Sequence, residues 1–154
     1  MTYQEPVKIN LGCYVNYLEG YINLDVDRQF KADIYSDLKN PLPFPDSYAD
    51  EVRMLHVIEH LSFGDGENLI KEIYRILKPT GHLSISTPNA GFIKEHPESK
   101  LITKEFVDGD KTTPWMYHVA LYDLQTLKTV LVKGGFLKVL EEFVWHEIRL
   151  KAWK

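Results

Sequence analysis

The chain of 154 residues has a single cysteine, Cys13. A lone thiol forms no internal disulfide, so the expected compartment is reducing, the cytoplasm. No apolar run approaches the ~20 residues that span a membrane. The opening Met1-Thr2-Tyr3-Gln4-Glu5-Pro6 does not read as a signal peptide. An excess of basic residues is also missing: 18 Lys and Arg stand against 22 Asp and Glu, a net charge of −4. That argues against a footprint for nucleic acid or for an anionic membrane. There is no repeat, low-complexity tract or linker. With 44% hydrophobic and 26% charged residues, the sequence reads as one globular domain over 1–154 with a core of its own.

The most informative feature is a pair of strand-like runs, Val7-Lys8-Ile9-Asn10-Leu11 before Gly12-Cys13, and Tyr21-Ile22-Asn23-Leu24-Asp25. A glycine at the carboxyl end of a parallel strand lets a ligand approach bare backbone. An acid at the end of the next strand can accept hydrogen bonds from both hydroxyls of a ribose. Together they point to a nucleoside-cofactor site on an open α/β sheet. Asp27 competes with Asp25 for the ribose role, and Asp25 could also be a solvated strand end.

Further strands are expected at Ala32–Asp37, Glu51–His56 and His82–Thr87, with a Pro-rich loop at Pro41, Pro43 and Pro45. Asn68–Leu77 places Leu69, Ile73, Ile76 and Leu77 on one stripe of a helix, which Lys78-Pro79-Thr80-Gly81 should stop. Ala90–Met116 reads as a long polar loop, and loops of that length tend to be functional. A second helix follows Asp123 as N-cap, with Leu124, Leu127, Val130 and Leu131 inward. Phe136–Val144 and His146–Trp153 read as an antiparallel pair or one bent ribbon. The fold class is α/β: a Rossmann-like, mostly parallel sheet of about seven strands with a C-terminal antiparallel hairpin.

The N-terminal helices must be abbreviated. About nine residues join the first two strands and about six the next two, whereas a parallel crossover normally takes a dozen or more. One face of the first three strands should therefore be thinly covered. The expectation is that a second subunit, making a homo-oligomer, or the long loop covers it, because large exposed apolar patches are rare.

The residues resemble the class I S-adenosylmethionine-dependent methyltransferases, in particular the compact type-11 group. The resemblance runs from Ile9 to about Phe136. It rests on Leu11-Gly12-Cys13, Gly20-Tyr21-Ile22-Asn23-Leu24-Asp25, Asp37-Leu38 before Pro41-Leu42-Pro43-Phe44-Pro45-Asp46, His56-Val57-Ile58-Glu59-His60-Leu61, and Glu72 through Gly81. It implies S-adenosylmethionine as cofactor and a small-molecule or glycan acceptor. Gly12, Cys13 and the following backbone would face the methionine part. Asp25 would hold the ribose, and Asp37 the adenine amino group with Leu38 beside the ring. His56 would border the sulfonium. Where the family usually carries a second glycine, this chain has Tyr14. Either the backbone shifts and Tyr14 lines the pocket, or the site has decayed.

Other readings stand beside this one. A degenerate relative kept as a binding or assembly module fits Tyr14 and the missing helices. His56-Val57-Ile58-Glu59-His60 matches the H-x-x-E-H spacing of a zinc peptidase. That motif needs a helix and a third ligand, so no metal is assigned. His60 is a candidate general base for an acceptor hydroxyl. His118, beside Tyr117, is a candidate acceptor contact or a helix-entry contact. Trp115, Trp145 and Trp153 are expected in the core or an interface.

Overall fold

The computed structural model describes residues 5–100, 107–109 and 115–154. Strands β1 (Lys8–Leu11), β2 (Ile22–Asp25), β3 (Ile34–Tyr35) and β4 (Ala49–Leu55) come first, followed by a 3-10 turn at Ile58–His60. Then come helix α1 (Phe63–Ile76), strand β5 (Leu77–Pro88), helix α2 (Ala90–Glu95), helix α3 (Leu124–Lys133) and strands β6 (Lys138–Val144) and β7 (Glu147–Trp153). The seven strands form one sheet in the order β3-β2-β1-β4-β5-β7-β6. Strands β1 to β5 pair in parallel, and β7 is antiparallel to both β5 and β6.

Cross-strand register explains which face is buried. Ile9, Val52, Leu83 and Ala152 form one row across the sheet, and Leu11, Met54, Ile85 and Leu150 another. All eight are buried. Helices α1 and α3 pack on this face through Leu69, Ile70, Ile73 and Ile76 on one and Leu127, Val130 and Leu131 on the other. Gly134 lets the end of α3 settle against Ile70, since a Cβ there would collide with the isoleucine side chain. Side chains alternate across a strand, so the opposite face carries the rows between: Asn10, Arg53, Ser84 and Lys151 lie side by side.

That polar row lies on the thinly covered face. Among the described residues no helix joins β1 to β2 or β2 to β3. The β1–β2 connection itself lies on the sheet, tied down by polar side chains. Asn10 Nδ2 donates to the carbonyls of Asn16 (2.9 Å) and, across the strands, to Asn23 Oδ1 (3.0 Å). Asn23 accepts from the Leu18 amide (2.9 Å) and donates to the Leu18 carbonyl (2.9 Å). Asp33 takes the Asn23 amide (2.7 Å) and the Tyr17 hydroxyl (2.8 Å). Hydrogen bonds, from buried to exposed, hold the connection where a crossover helix would otherwise pack.

Several boundaries differ from the sequence reading. Helix α1 begins at Phe63 rather than Asn68 because Ser62 Oγ accepts from the Asp65 amide (3.2 Å) as N-cap. Gly64 and Gly66 lower the helical signal there; Gly66 is required because a Cβ would stand 2.7 Å from the Tyr122 hydroxyl. Strand β5 starts directly at Leu77, and Lys78-Pro79-Thr80-Gly81 is a bulge between the pairs Ala49–Leu77 and Glu51–His82. The stretch read as one long loop opens with α2, capped by Asn89 Oδ1 on the Gly91 amide (3.0 Å); its residues 101–106 and 110–114 lie outside the described residues.

Candidate functional site

The parallel register sets Leu11 beside both Leu24 and Met54, so β1, β2 and β4 end at one edge of the sheet. Gly12, Asp25 and His56 follow from these three ends and meet there, at the carboxyl edge where open α/β sheets bind ligands. They line a cleft of about 550 Å³, together with Tyr14, Asp37, Leu38, His60, Tyr117 and His118. That is an ordinary small-molecule volume. Cys13 is buried beneath the loop rather than on the cleft wall. Burial, reinforced by nearby Asp25, pushes its thiol up to about 11, so it is no nucleophile at neutral pH.

Gly12 has φ +64°, a left-handed conformation, and a Cβ on it would stand 2.5 Å from Val57 Cγ2. Both facts require glycine. Its amide and that of Cys13 donate to the Leu24 carbonyl (2.8 and 3.2 Å), pinning the turn to β2. Tyr14 also lies in the left-handed region, φ +45°. The backbone therefore keeps a glycine-like path, and the tyrosine ring rests edge-on against Phe30 with centroids 4.2 Å apart. Tyr14 lines the cleft.

Asp25 is the acid at the centre. Its Oδ2 accepts from the Tyr14 amide (2.7 Å) and its Oδ1 from the Asp27 amide (2.9 Å). A carboxylate offers about four lone-pair positions, so Asp25 keeps acceptor capacity toward the cleft. Asp27 spends Oδ1 on the Gln29 amide (2.9 Å) and shapes the turn. Asp37 accepts from the Lys39 amide (3.0 Å) and lines the cleft, so it caps the Pro-rich loop and borders the cleft at once. Phe30 and Leu38 supply an apolar slot beside it.

The opposite wall is built on the 3-10 turn. Glu59 is fully buried, with Oε1 against His56 Nδ1 (3.2 Å) and Oε2 accepting from Thr87 Oγ1 (3.1 Å). His56 Nε2 lies 3.3 Å from Glu147 Oε1. The Glu59 contact and then the two carboxylate charges hold the half-exposed His56 above the usual imidazole range. His56 also has φ +53°, a strained conformation of the kind that clusters at functional sites. The Glu59 carbonyl accepts from the amides of Val119 (2.7 Å) and Ala120 (3.1 Å). This brings His118 beside His60, ring centroids 5.0 Å apart. Burial holds the His118 imidazole below its ordinary value. Sequence reasoning missed Trp115, which is exposed and lines the cleft rather than the core; its position depends on the chain crossing at Gly109, where a side chain would collide with the Met116 carbonyl.

A family model described as a methyltransferase domain matches residues 15–85. The chain has the fold of the class I methyltransferases. The cofactor of that family is S-adenosylmethionine, and the residues present fit it: a glycine-only turn, a central carboxylate with free lone pairs and an apolar slot. Two probable S-adenosylmethionine-dependent methyltransferases of Mycobacterium tuberculosis strains are 32% identical over 110 residues. The match covers 71% of this chain and 35% of each relative, so the chain spans about a third of their length. A methyltransferase structure from Archaeoglobus fulgidus superposes with a TM-score of 0.72 at 18% identity, covering 97% of this chain and 86% of that one. One from Mesorhizobium loti gives 0.68 at 17% identity, covering 97% and 91%.

Proposed function

We propose that this methyltransferase-fold chain binds S-adenosylmethionine in the cleft and catalyses transfer of its methyl group to a small-molecule or glycan acceptor. The observation that carries this is the meeting of Gly12 and Asp25 at adjacent strand ends, with an apolar slot beside them. The bound cofactor would supply an electrophilic methyl group on a sulfonium. Asp25 holds the ribose, and Asp37 with Leu38 borders the adenine. Gly12 and the backbone to Tyr14 accommodate the methionine part, with Cys13 supporting the turn from below. His56 borders the sulfonium side.

The acceptor enters from the wall of His60, Tyr117 and His118. The cleft excludes water and aligns the acceptor nucleophile with the methyl carbon, which supplies most of the acceleration for an in-line displacement. His60 and His118 are the groups placed to take a proton from a hydroxyl or amine acceptor. We place the activity in the cytoplasm; no helix among the described residues is long and apolar enough to cross a membrane. Self-association would use the β6 edge, where Leu140, Phe143 and Val144 are exposed; a monomer by light scattering at high micromolar concentration overturns that part.

The test is isothermal titration calorimetry with S-adenosylhomocysteine. Micromolar binding that weakens at least tenfold in Asp25→Ala supports the reading. The second reading, a non-catalytic binding module, is favoured by the strained Tyr14 in the cofactor loop, and an absence of binding at millimolar ligand selects it.

A further inference from the structure

We propose that Glu59, His60 and His118 form a binding site for one divalent cation of the zinc type, on the acceptor side of the cleft. The ligand atoms of these three residues all lie within 4.8 Å of one another. Ligands about 2.0–2.1 Å from a tetrahedral zinc stand ~3.4 Å apart, so side-chain movements of about an ångström close the site.

The surroundings fix the correct protonation of each ligand. His60 Nδ1 lies 2.9 Å from the Tyr117 carbonyl, and His118 Nδ1 lies 3.2 Å from the Val107 carbonyl. A carbonyl only accepts, so both imidazoles carry the proton on Nδ1 and present the Nε2 lone pair. A backbone carbonyl on the far nitrogen is the usual partner of a metal-ligating histidine. Glu59 is oriented in the same way, by His56 on one oxygen and Thr87 on the other, and each oxygen keeps a lone pair. Two imidazole nitrogens and one carboxylate oxygen favour zinc or a similar first-row cation over Mg²⁺ or Ca²⁺.

The arrangement is not that of the peptidase spacing noted in the sequence. His56 is turned to Glu59 and Glu147, and the third ligand comes from His118, which sequence spacing does not connect to the motif. His60 and His118 face the cleft, so the open coordination positions point to where the acceptor enters. A cation there would take an acceptor hydroxyl or carboxylate oxygen as its next ligand and make a bound hydroxyl more acidic. The Nε2 lone pairs cannot bind metal and accept a proton at once, so the cation would replace the histidines as the acidifying group. The metal site itself stands on ligand geometry and does not depend on the methyl-transfer reading.

The experiment is titration of chelator-treated protein with Co²⁺, followed by visible absorption, and with Zn²⁺ against a chromophoric chelator. One equivalent of Co²⁺ with d–d bands, displaced by Zn²⁺ and weakened ~100-fold or more in His118→Ala, supports the site. Glu59 is buried and its replacement risks the fold, so His60→Ala, checked by circular dichroism, is the second variant. Equal uptake by wild type and both variants overturns the proposal, as does no uptake at 100-fold molar excess or a preference for Mg²⁺ over Zn²⁺. None of these readouts uses S-adenosylhomocysteine, so failure here and failure of cofactor binding are told apart.

Discussion

Replacing Gly12 with alanine tests how tightly the turn after β1 is built, and its cost divides into two parts that can be separated. The first is conformational: at φ +64° an L-residue costs about 1–2 kcal/mol. The second is steric: the new Cβ would lie 2.5 Å from Val57 Cγ2, and overpacking of this kind costs about 1–3 kcal/mol. Gly12→Ala should therefore destabilise the chain by about 2–5 kcal/mol. Val57→Ala removes the obstructing methyl groups and leaves the backbone alone. In that background the same substitution should cost only the conformational ~1–2 kcal/mol, a coupling of about 1–3 kcal/mol in the double-mutant cycle. The assay is urea unfolding by far-ultraviolet circular dichroism, with unchanged m-values as the check on two-state comparison. S-adenosylhomocysteine titration should follow the same pattern, because Val57 lines the cleft. A cost below 1 kcal/mol, or an equal cost in both backgrounds, would refute the claim that this turn admits only glycine.

Three further outcomes follow from named contacts. Tyr14→Gly removes the ring that packs on Phe30; an aromatic pair is worth about 0.5–1.5 kcal/mol, so calorimetry should show S-adenosylhomocysteine binding weakened by up to ~10-fold. Tighter binding would mean that the tyrosine obstructs instead. Arg75 donates to the Leu42 and Phe44 carbonyls, Asp46 and Glu72, clamping the Pro-rich loop. Arg75→Lys keeps the charge but loses the fork, and should lower stability by about 1–3 kcal/mol. The Arg75 bond, aided by the Leu42 amide, holds Glu72 below the usual carboxylate range against the opposing effect of burial. Its contribution is therefore full above the unfolded carboxylate pKa and is lost as pH falls through the folded one, so the acid limb of a pH–stability curve should flatten in the variant. Cys13, pushed up to about 11, should alkylate ~100-fold more slowly in the native than in the unfolded chain at pH 8, rising tenfold per pH unit up to about pH 10; native labelling at the unfolded rate would refute its burial.

Local chemistry determined a good part of this protein from the sequence alone. Helix α3 was legible because Asp123 caps it and its apolar residues recur at helical spacing, and Gly12 with Asp25 marked the edge where the cleft lies because each closes a strand. The short connections between the early strands fixed the absence of full crossover helices, a matter of chain length rather than of packing. Tertiary structure decided what no local pattern encodes. Asn10 and Asn23 make the thinly covered face a hydrogen-bonded seat for the β1–β2 loop, because strand register pairs them across the sheet. Tyr14 holds a glycine-like conformation because its amide is drawn to Asp25 Oδ2. His118 reaches His60 from far along the chain because the Glu59 carbonyl takes the amides of Val119 and Ala120. Periodicity and turn chemistry act over a few residues, whereas these pairings exist only once the sheet has brought distant segments to one edge.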